Sequence, residues 1–591
     1  MALKKPIVVE VLEDSHFIKN PKEEIEKQAM GDADLLLTYP TVYIHQWKRS
    51  VDNPKGLFDL YIGESNNVVQ RTKEHYNDSK DINKWQHHLI SDKASPTIYV
   101  IGHEHFNKSL TLDVENRLIN YAFGMSTVSK VHNSKGNPQE SYFCSDELDA
   151  VFSMIWKMLR QKNKDLFLSE SAIKDSAIFK ASPLHKLTKE QLDAKNLIIN
   201  KVLDAVLNNK TNQLIFVQGE AGTGKTVLMS STFYELLENQ NELFSKPLKC
   251  ALLVNHDEQI TVYNEIAKKL NLFDMFGEDI VSKPTHFINT HSEANPVDVV
   301  FVDEGHLLLT QGKQSYQGTN HLSDIMKRSK ITVLVFDENQ ILTAEEYWEP
   351  QQLQDIINLS YGQDNFILLK NQLRMQCSKE TIKFIDDLTI NSKIGTYIKD
   401  PNYDLQVFES PLDLKKAILK KAKRHNTKLS RMLATYDWDY SDKHEPTNGK
   451  SYWGVEIGDF FMPWNRELTK SLTKKERHRL KNLAWAEQEQ TINEIGSTFT
   501  IQGFDLNYAG VIIGPSVSLR DGKLFFDGTK SKNAKAIQNR TLSDKTKKEF
   551  SEYLLKHELR VLLTRGVKGL YLYAYDEALN DALIKAINES K

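Results

Sequence analysis

The sequence predicts an α/β protein: a small mixed α/β domain followed by a parallel-sheet core built around a phosphate-binding loop, with an inserted subdomain. Three observations carry this. After Leu187, short continuous apolar runs ("QLIFVQG", "CALLVNH", "VDVVFVDEG", "ITVLVFDEN", "NFILLKNQL") alternate with long helical stretches, as in a parallel sheet covered on both faces. Within them, "LIFVQGEAGTGKTVLMSS" reads as strand, glycine turn and helix start. Upstream, "TVYIHQW", "FDLYIGES" and "PTIYVIGHE" alternate with helices starting near Asn67 and Leu112.

A chain of 591 residues exceeds what one hydrophobic core usually supports. The expected division is an N-terminal extension over 1–40, a small α/β domain over 41–150 that folds independently, a helical connector over 151–186, a first parallel-sheet domain over 187–370, and a second over 371–591. Residues 400–490, with Trp438, Trp453, Trp464 and Trp485, are less regular and read as an insertion in the second. A composition of 40% hydrophobic and 26% charged residues argues against disorder and against a membrane protein. No run approaches the ~20 apolar residues of a spanning helix. "MALKKPIVVEVLEDSHF" turns acidic before a signal core develops, so a cytoplasmic location is expected. Cys144, Cys250 and Cys377 are far apart and lack metal-ligand spacing, as suits reduced thiols.

The net charge of −3 does not advertise a nucleic-acid binder, but two segments are locally basic, "LKKAILKKAKRH" and "KSLTKKERHRLK". In the first, Leu414, Ile418 and Ala422 recur every four residues, which reads as an amphipathic helix with its lysines in water. The second is a candidate strand path in which Trp464 or Trp485 stacks on bases.

The nucleotide chemistry is the most legible. Gly219, Gly222 and Gly224 let backbone N–H groups curl around phosphates, Lys225 reaches the β/γ oxygens, and Thr226 holds Mg²⁺. Asp303, closing the strand "VVFVD", is the expected second Mg²⁺ holder, with Glu304 beside it to polarise water. ATP and Mg²⁺ are therefore the expected cofactors.

The order of further motifs resembles a superfamily 1 helicase, and more closely the Schlafen-like helicase domain family, over roughly residues 187–580. The resemblance implies two RecA-like domains. It also implies that Gln191 of "LTKEQ" reads adenine, that Gln340 of "FDENQ" senses the γ-phosphate, and that Arg374 of "NQLRMQ" and Arg565 of "RVLLTRGVKG" contact phosphate. "GSTFTIQGFDLNYAGVIIG", with Gln502, Gly503 and Asp505, resembles the stretch that couples ATP to nucleic acid. The acidic motif reads Asp-Glu-Gly-His in place of the commoner Asp-Glu-Ala-Gln, which leaves unwinding, translocation and switching open.

A second resemblance concerns residues 41–140. "LYIGES" followed by Arg71 resembles the GIY-YIG nuclease family, in which a tyrosine strand, a glycine turn and an arginine-bearing helix follow one another. "TVYI" offers Tyr43, with Thr and Val where the family has Gly and Ile, and the hairpin between the two strands is long. The resemblance implies that Tyr43 or Tyr61 acts as base, that Arg71 and His75 contact the phosphate, that Glu115 holds Mg²⁺, and that Asn133 matches the family's asparagine. Together these readings describe an ATP-dependent nuclease-helicase acting on nucleic acid, DNA in preference to RNA, in genome defence or repair. The rival is a regulatory P-loop ATPase switch with a non-cleaving, nucleic-acid-binding N-terminal module.

Overall fold

The computed structural model describes residues 4–589 apart from 30, 49–56, 82–83, 91–95, 134–141, 241–243, 245–246, 314, 373, 425–426, 447–448 and 481–482, and omits the side chains of 175, 478 and 479. The expected long hairpin after Trp47 and the segment following Asn133 lie largely outside the described residues. By its internal contacts the chain forms two units, one of residues 1–187 with 262–280, the other of 188–261 with 281–591.

The first unit is built on five strands: β1 (Ile7–Leu12), β2 (Thr41–Lys48), β3 (Phe58–Ser65), β4 (Thr97–Gly102) and β5 (Val128–Val131), in the order β1-β4-β2-β3-β5. Only β5 runs parallel to its neighbour, β3. In the β2–β3 register Tyr43 faces Gly63, His45 faces Tyr61 and Trp47 faces Asp59. Side chains alternate between faces, so these residues share one side of the sheet. The helices Val68–Asp78 and Lys108–Gly124 are each opened by an asparagine, Asn67 and Asn107, whose side-chain oxygen accepts a backbone N–H of the first turn.

Two boundaries differ from expectation. Residues 1–40 are no mere extension: β1 forms a sheet edge against β4, and Phe17, Ile25 and Leu36 are wholly buried in one core with Tyr43, Trp47 and Ile98. β1 pairs with a strand some ninety residues away, a partnership that no local pattern announces. The connector also packs into this unit, burying Phe152, Ile155 and Trp156 on the helix Leu148–Lys162. The unit is not confined to contiguous sequence either. Lys269 donates to Phe123 O and Met125 O at 2.8 Å each, capping the end of the helix Lys108–Gly124. Lys130 reaches the Asn271 amide oxygen at 2.7 Å.

The second unit contains two wholly parallel sheets, and the fold class is the α/β P-loop arrangement expected. Its six-stranded sheet comprises β6 (Gln213–Gly219), β7 (Cys250–Val254), β8 (Val281–Ser282), β9 (Val297–Asp303), β10 (Ser329–Phe336) and β11 (Phe366–Leu369), in the order β11-β6-β10-β9-β7-β8. Val299 to Val302 and Val333 to Val335 are buried on both faces, which is why these strands read as unbroken apolar runs. The five-stranded sheet comprises β12 (Asp404–Val407), β13 (Ser430–Ala434), β16 (Ile495–Gly496), β17 (Leu506–Ile513) and β22 (Gly566–Ala574), in the order β12-β22-β17-β13-β16. Antiparallel ribbons are formed by β14 (Gly454–Ile457) with β15 (Phe460–Pro463), β18 (Val517–Arg520) with β19 (Lys523–Phe526), and β20 (Arg540–Thr541) with β21 (Lys547–Lys548).

The expected insertion over 400–490 is thereby corrected, because β12 and β13 belong to the second parallel sheet and the departure from it runs only from 435 to 494. Trp464 and Trp485 are core residues of that departure, with their indole N–H groups donating to Asp439 O and to the Glu494 carboxylate. Neither presents a face for a base to stack on. The helix Pro411–Ala422 buries Leu414 and Ile418, as its spacing predicts.

Candidate functional site

In the first unit, β3 gathers the predicted residues one after another. Tyr61 stacks on Trp85 with ring centroids 4.1 Å apart, the Ile62 carbonyl accepts a hydrogen bond from Asn133 Nδ2 at 2.7 Å, Gly63 lies against the Tyr43 ring, and the next residue, Glu64, sits beside Glu115. A Cβ on Gly63 would fall 2.5 Å from the Tyr43 hydroxyl oxygen. That is the physical reason a glycine follows Tyr-Ile.

The Tyr43 hydroxyl is hydrogen-bonded to His75 Nε2 at 3.0 Å, and both side chains are almost wholly buried. Burial, His45 and Arg71 push His75 down to about 3, so it is a neutral imidazole at physiological pH. Sequence reasoning placed His75 on the phosphate; the structure places it beneath Tyr43. Burial and Tyr61 hold the Tyr43 phenol well above its ordinary range, against the pull of Arg71. Arg71 is itself half-exposed and bonded to Glu74 at 3.0 Å. Burial disfavours its charge, but Glu74 and the Tyr43 and Tyr61 hydroxyls outweigh that and raise its affinity for protons.

Glu115 accepts from Asn133 Nδ2 at 3.1 Å. Burial and the neighbouring Glu64 push its carboxyl up to about 7. Glu64 is bonded to Lys108. Two adjacent carboxylates, one of them destabilised as an anion, are a donor set suited to a hard divalent cation.

In the second unit the phosphate loop joins β6 to the helix Lys225–Glu238, with Thr226 in its first turn. Gly222 and Gly224 have φ of +88° and +76°, and a Cβ on Gly222 would lie 2.5 Å from that of Arg374. Gly219 closes β6, where a Cβ would meet the Thr223 hydroxyl at 2.7 Å. Lys225 Nζ donates to Gly219 O, Glu220 O and Asp337 Oδ2 at 2.9, 2.8 and 3.3 Å. A chain of polar contacts continues from there: Gln340 Nε2 donates to Asp337 Oδ2 at 2.7 Å, and Arg565 donates to Gln340 Oε1 at 3.0 Å. Lys225, Gln340 and Arg565, quoted from motifs over a hundred residues apart, are thus one buried network. Burial and nearby Arg374 push Arg565 down to about 9.

Asp303 ends β9 and accepts the Glu304 N–H at 3.0 Å. Glu304 has φ of +49°, in the left-handed region; it receives Gln259 Nε2 at 2.9 Å and lies 3.3 Å from His306 Nε2. Burial opposes its ionisation, but His306, Lys225, Gln259 and Arg565 outweigh burial and hold it below the usual carboxylate range. The structure also accounts for the Gly-His variant of this motif: a Cβ at 305 would strike the Leu334 side chain at 2.4 Å, and His306 is fully buried beside Phe336. The glycine cradle, the strand-end Asp303 and Thr226 at the helix start fit a magnesium nucleotide.

The other residues fall as follows. Gln191 closes a capping box with Thr188 and donates to Thr223 O at 3.1 Å, so its amide meets the loop itself. Arg374 is paired with Asp505 at 2.6 Å, and Gln502 Nε2 reaches Gln340 O at 3.5 Å, which links the coupling stretch to the γ-phosphate motif.

The family model for the Schlafen group 3, DNA/RNA helicase domain matches residues 212–576. The chain belongs to this family. The Schlafen group 3 match begins one residue before β6 and ends two residues after β22, so it contains every nucleotide-site residue above except Gln191. The chain is 32% identical to Uncharacterized protein YPL245W of Saccharomyces cerevisiae over 413 residues, 63% of this chain and 84% of that one. Among solved structures it is similar to the Pif1 helicase of Candida albicans (17% identity, TM-score 0.20, 40% of this chain and 55% of that chain). It is also similar to the Pif1 helicase of a forked double-stranded DNA complex (10%, TM-score 0.26, 68% and 96%).

Sequence reasoning missed several residues of this Schlafen-type site. Arg560 bonds Glu220 of the phosphate loop at 3.1 Å and Asp386 at 3.0 Å; it lies five residues before Arg565 on the same apolar stretch, the one signal available. Asp337 lies inside "FDENQ", whose pattern marks Gln340 and gives the aspartate no role of its own. Gln259, on the helix Asp257–Lys269, had no motif to mark it.

Proposed function

We propose that this Schlafen group 3 protein is an ATP-dependent motor on nucleic acid joined to a Mg²⁺-dependent phosphodiester-cleaving unit, with DNA favoured over RNA. The observation that carries the second half is the run Tyr61 to Glu64, along which β3 touches Trp85, Asn133, Tyr43 and Glu115 in turn.

In the motor, Lys225 and the loop N–H groups bind the nucleotide phosphates, Thr226 and Asp303 hold its magnesium ion, and Glu304 orients and polarises water. Gln340 and Arg565 complete the polar chain from Lys225, so loss of charge at the γ-position is felt at Arg565 and, through Gln340, at Gln502. Magnesium supplies charge neutralisation on the transferring phosphoryl group.

In the N-terminal unit Glu115, backed by Glu64, is the holder of a divalent cation, whose chemistry is to offset charge on the phosphate and acidify water. Arg71 steadies the phosphate with its planar fork. Tyr61 or Tyr43 takes the water proton as its phenol gives up its own, which for Tyr43 passes along the hydrogen bond to neutral His75. Since His75 is buried, its part is played through Tyr43. The deep burial of Tyr43 and His75, with Thr41 and Val42 before them, is the one observation favouring a non-cleaving switch.

The deciding experiment incubates wild-type protein with Mg²⁺, with and without ATP, on single- and double-stranded DNA and RNA. Metal-dependent cutting supports the proposal. ATP hydrolysis with no cutting of any substrate returns the unit to the switch reading.

A further inference from the structure

Behind the tyrosine–arginine face lies a second polar pair that the cleavage scheme does not use. The side chains of Glu13 and His45 are both wholly buried, and His45 Nδ1 lies 2.8 Å from Glu13 Oε1. The Tyr76 hydroxyl donates to the other Glu13 oxygen. A buried ionisable pair of this kind gives no better stability than apolar residues of the same volume, so packing alone is a weak reason for it.

The geometry of the pair is specific. With the carboxylate accepting, the Nδ1 of His45 carries the proton, and the bare nitrogen Nε2 points across the ring, away from Glu13. Nε2 is buried without a hydrogen-bond partner among the described residues. His45 shares its face of β2 with Tyr43, opposes Tyr61 in the register, and is ringed by the groups of the candidate site. Its centroid is 5.4 Å from Tyr43, 5.5 Å from His75, 6.3 Å from Tyr61 and 5.8 Å from Trp85, nearly perpendicular to Tyr43 and His75. The charged and titratable groups about it come from every element packed there: Glu13 after β1, Tyr43 from β2, Tyr61 from β3, and Arg71, His75 and Tyr76 from the helix Val68–Asp78.

We infer that Glu13 and His45 are positioning residues for phosphodiester cleavage: the carboxylate fixes the tautomer and angle of the imidazole, and the imidazole fixes the rings of Tyr43, Tyr61 and His75 so that their polar atoms meet beside Arg71. The inference rests on the cleavage reading of that face. It gives the N-terminal strand a part in the site, since β1 delivers Glu13.

The test uses full-length protein and four variants, Glu13→Gln, His45→Ala, His45→Asn and His45→Gln. Asparagine keeps a donor near the position of Nδ1, whereas glutamine approximates Nε2 and loses the bond to Glu13. Expected for Glu13→Gln, His45→Ala and His45→Gln is a tenfold or greater fall in kcat with KM within twofold. His45→Asn should recover to within threefold of wild type, and ATP hydrolysis should be unchanged throughout. Wild-type cutting rates in Glu13→Gln, or equal losses in His45→Asn and His45→Ala, would overturn it. If wild-type protein cuts nothing, the cleavage reading itself has failed, and histidine-selective ¹⁵N spectra then decide whether the pair positions anything. The expected pattern is a protonated Nδ1 and bare Nε2 on His45, with the His75 resonances shifted in Glu13→Gln. A bare Nδ1 on His45, or His75 resonances that ignore Glu13→Gln, sinks the inference.

Discussion

The two candidate phosphate sites of this protein are built in opposite ways. The nucleotide site is made of backbone: glycines with positive φ, a helix start, and charges that are almost all paired, Lys225 with Asp337, Arg374 with Asp505, Arg560 with Asp386 and Glu220. The N-terminal site is made of side chains, mostly aromatic and neutral, with half-exposed cations in Arg71 and Lys108 and a carboxyl, Glu115, kept reluctant to ionise. Backbone sites tolerate no change in local conformation but forgive their surroundings; side-chain sites depend on each neighbour that holds a ring in place.

The largest effect expected from this contrast is at Lys225. Lys225→Ala removes the loop's side-chain cation and should lower ATP turnover by about 100-fold or more. Short oligonucleotides should still be cut if the motor only delivers substrate, and left uncut if ATP gates the cleavage; ATPase and cleavage assays run in parallel read both. Glu304→Gln should likewise slow turnover while nucleotide binding persists, and an undiminished rate would remove Glu304 from the chemistry.

Next in size are Arg71→Ala and Glu115→Ala, each expected to reduce cleavage by about 100-fold with ATP hydrolysis within twofold of wild type. Raised Mn²⁺ or Mg²⁺ should partly rescue Glu115→Ala and leave Arg71→Ala unrescued, because only the first loses a cation ligand.

Acidity sharpens the comparison further. Glu115 must be ionised to hold a cation, and its carboxyl is pushed up to about 7, so apparent Mg²⁺ affinity in cleavage should fall as pH drops from 8 to 6. Glu64→Gln removes the like charge and should move that midpoint to lower pH. A midpoint that stays put would separate Glu64 from Glu115. Gly63→Ala tests the ring packing directly: a Cβ 2.5 Å from the Tyr43 hydroxyl oxygen should cost about 1–3 kcal/mol of stability in the first unit and abolish cutting, with ATPase retained.

The smallest effect is expected from the basic helix Lys474–Leu480. Neutralising Lys474, Lys475 and Arg477 together should flatten the salt dependence of nucleic-acid binding by about 2 in log–log slope if all three meet phosphates. With Trp464 and Trp485 buried, an unchanged slope would make this helix a solvated face and nothing more.

The same contrast explains what the sequence could reveal. The loop Gly219 to Thr226 is legible because its chemistry is consecutive backbone, and the parallel strands because burial on both faces leaves unbroken apolar runs. Arg71 and His75 are legible through helical spacing, but not that His75 turns inward, which depends on where Tyr43 sits across the sheet. Glu13 and His45 carry no local signature at all, and Arg560 has only its place on the apolar stretch before Arg565. Their roles come from contacts to residues 32 to 340 positions away, and the edge strand β1 was missed for the same reason.

The capping of Phe123 O and Met125 O by Lys269 bears on how the protein is made. A chain emerging from the ribosome has β1 to β5 and the helix Lys108–Gly124 in hand long before Lys269 appears, and by then the phosphate loop and β7 have already been synthesised. Until residues 262–280 arrive, the helix that carries Glu115 lacks the ammonium that caps Phe123 O and Met125 O, and the first unit lacks part of its own substance. The unit that begins folding first is therefore not free to finish first, and a nascent chain paused near residue 200 should be more open to proteolysis around Phe123 than the completed protein.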